Sequence, residues 1–459
     1  MIRSRIIFVS AGMLAPKKRN HILARRQLYL NYGALSLATK LKLTGYDTVL
    51  VHGEHRPPDE VLDSILAAGY FPSPYPLMVS IPSFYALPWA QRFCKLAREQ
   101  APHCKIIIGG RWVVGPDPDW LRKALPEADR FILGLGEHII ESLVSDREPA
   151  LQSLASPTPD YVLDHRLVLD HATYQPSIEA SRGCGMKCQF CEERDIPLGR
   201  LPSPDIIARS MLDVKNQYGS SEIHPYLQAS FFAPNRHWAN QLAKEVAMKG
   251  LRIDWRSETR VDAIQPETIA SLAQAGLKVI DLGLETASSG QILAMNKSKR
   301  PDHYLKSASK LLSACRENGI AVKVNVLLYA GENERTVAET RSWLDDHVNF
   351  IKGVSVGPVV AYGPPKTANI LLKEWSAQGA RPVDQRSATE TGITNIHLSN
   401  EIDASSAEQI SLELSRRYMD ADAYFYLKSF SYYPRGYTRA QFDDDVLNSD
   451  PKALPFRTI

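Results

Sequence analysis

The sequence lacks a marked excess of charge of either sign, because 54 lysines and arginines stand against 51 aspartates and glutamates. Nucleic-acid and membrane-surface partners usually select a strongly basic chain, so this balance predicts neither kind of partner. The sequence also lacks any apolar run that approaches the roughly 18 residues of a membrane-spanning helix. Together these absences predict a cytoplasmic protein without a membrane segment.

The amino-terminal residues allow two interpretations. Arg3 and Arg5 precede an apolar run over residues 6–15, and this order is similar to that of a short secretory signal peptide. The same run also has the pattern of a buried strand at residues 6–9, followed by a loop that contains Gly12. We favour the strand.

Cysteine is scarce, with six in 459 residues, and its distribution excludes a disulfide framework. Such a framework spreads paired cysteines along a small secreted chain. Here Cys184, Cys188 and Cys191 lie within eight residues of one another, and the other three are scattered. This pattern predicts one metal site with those three residues as ligands. The scattered cysteines are expected to be buried, unreactive thiols.

Residues 1–150 alternate short apolar runs with helical patterns, which is typical of an α/β fold with a parallel sheet covered on both faces. Strands are predicted at residues 6–9, 48–52, 77–80, 105–108 and 130–133. The order predicts a Rossmann-like domain of the flavodoxin-like kind. Gly109 and Gly110 follow the fourth strand directly. Because ligands of such folds bind beyond the strand ends, where glycine lets a backbone come close, both are candidate cofactor-binding residues.

Residues 151–175 contain serine and proline but few sustained apolar patterns, and we interpret them as a linker. Residues 176–368 then show six strand–helix repeats, which predict a partial (β/α)6 barrel of the TIM type with its chemistry at the carboxyl ends of the strands. The barrel strands are predicted at residues 177–180, 226–232, 252–255, 279–284, 322–328 and 354–360. Residues 369–459 are expected to form a small, mostly helical cap. Its aromatic-rich part, residues 420–437, either packs on the barrel or forms a wall of a substrate site.

The cysteine triplet has the spacing C-x3-C-x2-C from Cys184 to Cys191. Three thiolates can ligate three irons of a [4Fe–4S] cluster, and the fourth iron then keeps an open position. A structural zinc site needs four ligands, and the nearest histidines lie at no suitable spacing. An electron-transfer ferredoxin needs a fourth cysteine in register. A catalytic cluster at the mouth of a barrel fits the triplet better than either alternative.

The segment from Ser181 to Cys191, with Phe190 before the last cysteine, resembles the signature of radical S-adenosylmethionine (SAM) enzymes. The resemblance implies that the open iron binds the amino and carboxylate groups of SAM. It also implies that an electron from the cluster cleaves SAM to a 5′-deoxyadenosyl radical, and that Phe190 flanks the adenine. A barrel would protect such a radical from water and stray hydrogen donors.

Later segments resemble other parts of the same family. Glu285 and Thr286, after the fourth barrel strand, look like the strand end that meets SAM, although Glu285 alternatively caps the next helix. Ser257, Glu258 and Arg260 on the third strand are similar to the polar residues that contact the ribose or carboxylate of SAM. A surface ion pair is the alternative for Arg260. A carboxylate at a strand end is poorly solvated unless it is paired, so we expect Glu285 to have a partner.

Residues 30–140 resemble the cobalamin-binding domain that precedes the barrel in one large radical SAM subclass. The resemblance rests on short pieces that include Gly109-Gly110 and Gly134-Leu135-Gly136-Glu137. It implies cobalamin as a further cofactor. The motif D-x-H-x-x-G, whose histidine ligates cobalt in one group of cobalamin proteins, is absent from the sequence. His52 lies at a strand end without that spacing, and a solvated loop histidine is the alternative to a metal ligand.

Three hypotheses of function follow. The first is a cobalamin-dependent radical SAM methyltransferase for a small-molecule or natural-product substrate, with an electron donor such as flavodoxin or ferredoxin. The second is a radical SAM oxidase, mutase or rearranging enzyme whose N-terminal domain binds no cobalamin. The third is a non-catalytic iron–sulfur protein, against which the three cysteines together with Glu285 and Thr286 argue. The sequence assigns no residue as catalytic acid, base or nucleophile.

Overall fold

The computed structural model describes residues 4–16, 21–113, 117–145, 161–219 and 222–458. The strands are β1 (Ile6–Ser10), β2 (Thr48–His52), β3 (Leu77–Ser80), β4 (Ile106–Gly109), β5 (Arg130–Phe131), β6 (Ser177–Ser181), β7 (Tyr226–Ala229), β8 (Trp255–Arg260), β9 (Leu277–Glu285), β10 (Ala321–Leu328), β11 (Gly353–Pro358), β12 (Val360–Tyr362), β13 (Arg381–Pro382) and β14 (Ile393–His397).

The α-helices are α1 (Ile22–Arg25), α2 (Tyr32–Leu43), α3 (Pro58–Ala67), α4 (Leu87–Gln100), α5 (Pro118–Ala124), α6 (Ile140–Val144), α7 (Pro204–Tyr218), α8 (Arg236–Met248), α9 (Ile269–Gln274), α10 (Ser289–Ala294), α11 (Pro301–Glu317), α12 (Glu334–Asp346), α13 (Pro365–Ser376), α14 (Gln385–Glu390), α15 (Ala404–Tyr418), α16 (Ala421–Ser429) and α17 (Arg439–Leu447). Within the described ranges, no helix has the length and apolar character to cross a membrane.

The first sheet has five strands in the order β2-β1-β3-β4-β5, and every neighbouring pair is parallel. Strands β1 and β2 are buried along their full length, as strands of a sheet with both faces covered must be. This strand order is that of the flavodoxin-like fold, so the predicted Rossmann-like domain is confirmed. The order reverses between β1 and β3, where Ser10 and Ser80 end the strands and line a large cavity.

The second sheet has six parallel strands, β6 to β11, and each strand pairs with the next one along the chain. Strands β6 and β11 are its edges and do not pair with each other, so the barrel is open on one side. The helices between the strands pack on the outer face, where residues such as Trp255 and Leu311 form the main apolar core. The predicted partial (β/α)6 barrel is confirmed.

The third barrel strand lies later in the chain than predicted. The expected strand at residues 252–255 is wrong, because β8 spans Trp255–Arg260. A continuous apolar run marks a strand that is buried against apolar groups on both faces. One face of β8 carries Arg256 and Arg260, which are buried against polar barrel groups, so the strand has no such run.

The inner face of the barrel is polar. Successive side chains of a strand point to opposite faces, so alternate residues enter the lumen. The strand register places Glu258, Asp281 and Lys323 side by side at one level of β8, β9 and β10. TIM-type barrels usually fill their interior with branched apolar side chains. The polar lumen of this barrel therefore favours a ligand site over a packed core.

The C-terminal region is mainly helical, as predicted, and adds a small antiparallel sheet in the order β12-β14-β13. Part of the aromatic-rich segment packs as a core, because Phe430 and Tyr433 cluster with Leu23 of α1. Tyr432 instead lines the large cavity. Both interpretations of this segment, as a packed cap and as a wall, therefore apply to different residues.

The predicted linker is only partly within the described residues, because residues 151–160 lie outside them. The remaining part, residues 161–175, contacts both sheets. Val168 forms a parallel bridge with Leu50 of β2. The His165 ring lies 3.0 Å from the Gln217 side chain of α7, and its Nε2 accepts the Ser177 N–H at 3.1 Å. Residues 161–175 thus join the two sheets by specific contacts.

Candidate functional site

The three cysteines of the triplet lie in the loop that follows β6, at the carboxyl end of the barrel. Cys188 is buried, whereas Cys184 and Cys191 are partly exposed. The loop turns sharply at Gly183, which has a φ of +73°. A Cβ at this position would collide with the Pro197 carbonyl oxygen, so only glycine lets the loop close around the thiols.

The three thiols influence one another without converging on a single point. Burial, together with the neighbouring Cys188 and Cys184 thiols, raises the pKa of Cys191 to about 11. Among the residues that the structure describes, no three Cys, His, Asp or Glu side chains converge on one ion. A zinc ion needs converging ligands, whereas each thiolate of a cubane cluster binds a different iron.

Arg260, at the end of β8, reaches the cysteine loop. Its Nη1 lies 3.3 Å from the Sγ of Cys188. Asp262 accepts from the same guanidinium through both carboxylate oxygens, each at 2.9 Å, and the Lys297 carbonyl accepts from Nη2. The Arg260 side chain is only 7% exposed, so the surface ion pair considered for it is wrong. A buried cation lies beside a sulfur that is predicted to bind iron.

Glu285, the last residue of β9, pairs with Lys297, whose Nζ lies 3.2 Å from the Glu285 Oε1. The partner expected for this strand-end carboxylate is thus present. The same Nζ lies 5.6 Å from the centre of the Phe190 ring, within the range of a cation–π contact. Lys297 brings Phe190 and Glu285 together, but sequence reasoning did not assign it. Its position in Met295-Asn296-Lys297, shortly after the strand end, is the pattern that could have identified it.

Two other residues predicted to contact SAM have their hydroxyls hydrogen-bonded within the protein. Ser257 is fully buried and donates to the Leu227 carbonyl of β7 at 2.9 Å. Since Arg260 enters the lumen, side-chain alternation sends the odd-numbered Ser257 to the outer face. The Oγ1 of Thr286 lies 3.0 Å from the Oγ1 of Thr340 on α12. The expected SAM contacts of Ser257 and Thr286 are therefore corrected, because both hydroxyls are engaged within the protein.

A cavity of about 1820 Å³ lies between the two sheets. Gly109 and Gly110 line it directly after β4. Gly110 has a φ of +95°, and a Cβ there would lie 2.7 Å from the backbone nitrogen and oxygen of Ile81, so glycine is required. The cavity also extends as an apolar slot between the first sheet and helices α2 and α6. This slot is lined by Phe8, Leu37, Met78, Ile107, Ile132, Ile140 and Leu143.

Asn31 links three strand ends at the reversal point of the first sheet. Its Nδ2 donates to Ser10 Oγ and Ser80 Oγ, each at 3.0 Å, and its backbone N–H donates to His52 Nε2 at 2.9 Å. Burial lowers the pKa of His52 to about 3, so the ring is neutral and its proton lies on Nδ1. No described residue is a partner of that Nδ1. His52 therefore has no free lone pair with which to bind a metal, so the interpretation as a metal ligand is corrected. The interpretation as a solvated loop histidine is corrected as well, because the ring is buried.

Arg111 connects the N-terminal domain to the cysteine loop. It pairs with Glu192 at 3.1 Å and with Glu193, and both glutamates directly follow Cys191. Ser230, after β7, donates to the second oxygen of Glu193 at 3.0 Å. Sequence reasoning did not identify Arg111, because an ion pair between residues 82 positions apart leaves no local pattern.

A buried ion cluster occupies the lumen around Asp281. Arg256 donates to both of its oxygens at 2.7 Å, and Lys323 Nζ lies 3.0 Å away. Burial alone would raise the pKa of Asp281, but the two cations outweigh burial and hold it well below its usual range. The Glu258 side chain is exposed to the lumen but lies deep within the protein. Its distance from bulk water and the nearby Asp281 charge raise its pKa. These groups form a polar surface inside the lumen. The centre of the Tyr432 ring lies 4.7 Å from the Arg256 guanidinium at the border of this surface.

Comparison with known proteins extends these observations. Residues 178–344 match the family model described as the radical SAM superfamily. A curated relative, an uncharacterized methyltransferase of Pyrococcus horikoshii, is 23% identical in an alignment of 257 positions that covers 48% of this chain and 54% of that protein. The chain thus spans about half the length of this curated relative.

Solved structures share the fold of both the N-terminal parallel-sheet domain and the barrel. One match is OxsB, a cobalamin-dependent SAM radical enzyme, in a structure with aqua-cobalamin and SAM bound. The TM-score is 0.65 and the sequence identity is 13%, and the match covers 93% of this chain and 67% of that chain. With aqua-cobalamin alone, the match covers 74% of this chain and 52% of OxsB. TsrM, a radical SAM methyltransferase from Kitasatospora setae with cobalamin and a [4Fe–4S] cluster bound, gives a TM-score of 0.59, 15% identity, and coverage of 85% and 84%. At these identities the likeness establishes the fold.

Proposed function

We propose that this chain, whose residues 178–344 match the radical SAM superfamily model, is a cobalamin-dependent radical SAM methyltransferase for a small-molecule or natural-product substrate. The observation that carries the proposal is the cavity of about 1820 Å³, which is bounded both by the strand ends of the N-terminal sheet and by barrel residues. A cofactor held at the strand ends of the first sheet and a ligand in the barrel lumen would therefore share one cavity. The fold shared with OxsB and TsrM supports this arrangement.

Cys184, Cys188 and Cys191 would hold the [4Fe–4S] cluster. Their thiols are close enough to influence the pKa of one another, and the Arg260 cation would offset part of the negative charge of the thiolates. Bound in these places, the cluster would supply the electron that cleaves SAM, and cobalamin would carry the methyl group. Three cysteines for four irons leave one iron position for SAM.

Phe190, Glu285 and Lys297 would form the SAM side of the cluster. The Phe190 ring offers an apolar face for the adenine. Glu285 and Lys297 present one acceptor and one donor group on side chains that are 15% and 3% exposed, so water competes little for a polar contact with SAM. Ser257 and Thr286 are not part of this proposal, because their hydroxyls are hydrogen-bonded to the Leu227 carbonyl and to Thr340.

Cobalamin would lie at the carboxyl ends of β1, β3 and β4. Gly109 and Gly110 let a bulky ligand approach the backbone there, and the apolar slot beside α2 has the character to take an apolar ring. The His52 Nδ1, a buried donor without a protein partner, fits a ligand acceptor at this edge. Because the His52 Nε2 already accepts the Asn31 N–H, the cofactor would be held without His52 as a cobalt ligand.

The substrate would enter the polar lumen next to Glu258 and Tyr432. A cytoplasmic location forms part of the proposal, since reducing conditions keep cysteines free for iron. An external donor such as flavodoxin or ferredoxin would supply the electrons.

Anaerobic purification from cells supplied with cobalamin tests the proposal. We expect corrinoid to co-purify with iron and sulfide, and a labelled SAM methyl group to be transferred to another molecule. Cluster absorbance without corrinoid, together with 5′-deoxyadenosine formed from SAM and dithionite, would instead favour a radical SAM oxidase or mutase. The absence of both deoxyadenosine and methyl transfer with any reductant would contradict the enzyme assignment altogether.

A further inference from the structure

Arg260 donates to the sulfur of Cys188, with a distance of 3.3 Å between Nη1 and Sγ. We propose that Arg260 is a positioning residue that raises the reduction potential of the cluster through a charge-assisted hydrogen bond to this ligand sulfur. The inference rests on the proposed function, because it requires Cys188 to be a cluster ligand. It gives Arg260 a role other than the SAM contact expected from the sequence.

The N–H groups of Arg260 are almost fully engaged by the protein. The Nε donates to Asp262, the two N–H groups of Nη2 serve Asp262 and the Lys297 carbonyl, and Nη1 donates to Cys188. One N–H of Nη1 remains. A bidentate contact to the SAM carboxylate would need two parallel N–H groups. The guanidinium is therefore oriented for the sulfur rather than for a carboxylate of SAM.

Burial makes the charge of Arg260 effective. Its side chain is 7% exposed and Cys188 is 6% exposed, so solvent screens the contact little. The Tyr304 ring lies 5.7 Å from the guanidinium and covers it. Reduction adds negative charge to an iron–sulfur cluster, and hydrogen bonds and charges at its sulfurs set its potential. A buried cation at the Cys188 sulfur must therefore stabilise the reduced state relative to the oxidised state.

Asp262 opposes this effect while it orients the guanidinium. Its carboxylate accepts from the Nε and Nη2 of Arg260, both at 2.9 Å, and so cancels part of the positive charge. Asp262→Asn removes the negative charge and keeps an oxygen that can accept from Nε. Arg260→Met removes the cation. The two substitutions should therefore shift the cluster potential in opposite directions.

A redox titration followed by electron paramagnetic resonance tests the proposal on the anaerobically reconstituted full chain, with dithionite, redox mediators and no SAM. We expect Arg260→Met to lower the midpoint potential, Asp262→Asn to raise it, and Arg260→Lys to fall between Arg260→Met and the wild type. Arg252→Met is the matched control, because Arg252 is an exposed arginine just before β8. Its potential should equal that of the wild type.

Equal potentials for Arg260→Met and Arg252→Met, at equal iron and sulfide content, would overturn the proposal. Shifts of the same sign in Arg260→Met and Asp262→Asn would also overturn it, because they would indicate a general disturbance of the loop. If Arg260→Met loses its cluster, Arg260→Lys and Asp262→Asn decide the matter by the same signs, and circular dichroism verifies their fold. A wild-type chain that takes up no iron would contradict the proposed function itself before any variant is compared.

Discussion

Arg182 of the barrel and Glu137 of the N-terminal domain form a buried ion pair, with 2.6 Å between the Arg182 Nη2 and the Glu137 Oε1. Glu179 of β6 holds the same guanidinium through Nε and Nη2. The pair lies at the start of the cysteine loop, and Arg111 joins the N-terminal domain to the residues just after Cys191. The loop is thus anchored to the first sheet at both ends, so the two sides of the cavity keep a defined relative position.

Glu137→Gln should weaken this anchorage. Arg182 keeps Glu179 but loses one of its two buried carboxylate partners, so we expect the free energy of unfolding to fall by about 2 kcal/mol. Urea unfolding followed by tryptophan fluorescence measures the change. Asp119→Asn is the control, because the Arg122–Asp119 pair is exposed and should contribute less than about 1 kcal/mol. Equal effects of the two substitutions would refute the anchoring role of Glu137.

Gly110→Ala should destabilise the strand end that borders the cavity. The added Cβ would contact the Ile81 backbone at 2.7 Å, and the φ of +95° is unfavourable for alanine, so we expect a cost of about 1–3 kcal/mol. Gly109→Ala is a matched control one residue earlier. Its Cβ would have Ile132 as its nearest neighbour at 4.0 Å, and the stability should change little. Thermal unfolding compares the two variants, and a Gly109→Ala loss as large as that of Gly110→Ala would contradict the steric account.

Glu332, after β10, should make the stability of the chain fall as the pH rises. The carboxyl group is 1% exposed and accepts the Tyr329 N–H at 3.2 Å, and burial raises its pKa to about 7. The folded chain thus holds this proton more tightly than the unfolded chain. The contribution of protonated Glu332 to the free energy of unfolding is therefore fully present below a pH of about 4.5 and is lost as the pH rises through about 7.

Glu332→Gln should therefore be more stable than the wild type at a pH of about 8, by at most about 3 kcal/mol, and similar to it at a pH of about 5. Melting temperatures across this range provide the measurement. Glu401→Gln, at an exposed loop position, serves as the control and should show no difference that varies over this range. A constant offset between Glu332→Gln and the wild type at every pH would disprove the ionisation effect.

Much of the fold could be predicted because most strands are locally apolar. β2 and β3 begin and end at the predicted residues, since both are short apolar runs with clear breaks on either side. β8 could not be placed in the same way, because its inner side chains are stabilised by distant groups such as Asp281 and Cys188. The antiparallel sheet of β12, β13 and β14 was also missed, since β12 and β13 have only three and two residues and β14 has no continuous apolar run.

The candidate site was predictable where its residues are close in sequence. The spacing of the cysteine triplet and the need of Glu285 for a partner both follow from local chemistry. The identity of that partner, Lys297, could not be predicted, because it depends on the path of the chain after α10, which brings Lys297 back to the end of β9. The misassignment of Ser257 has a different cause, since successive side chains of a strand point to opposite faces, and Ser257 and Arg260, three residues apart, therefore cannot both face the lumen.

The most direct test of the account is to replace Cys184, Cys188 and Cys191 singly by serine, reconstitute each chain anaerobically, and measure iron, cluster absorbance and 5′-deoxyadenosine formed from SAM. Cys104→Ser is the control, because Cys104 is partly exposed and lies in the N-terminal domain outside the loop. We predict that each triplet variant loses the intact cluster and SAM cleavage, whereas Cys104→Ser retains both. A triplet variant with the iron content and SAM cleavage of the wild type would contradict the central claim.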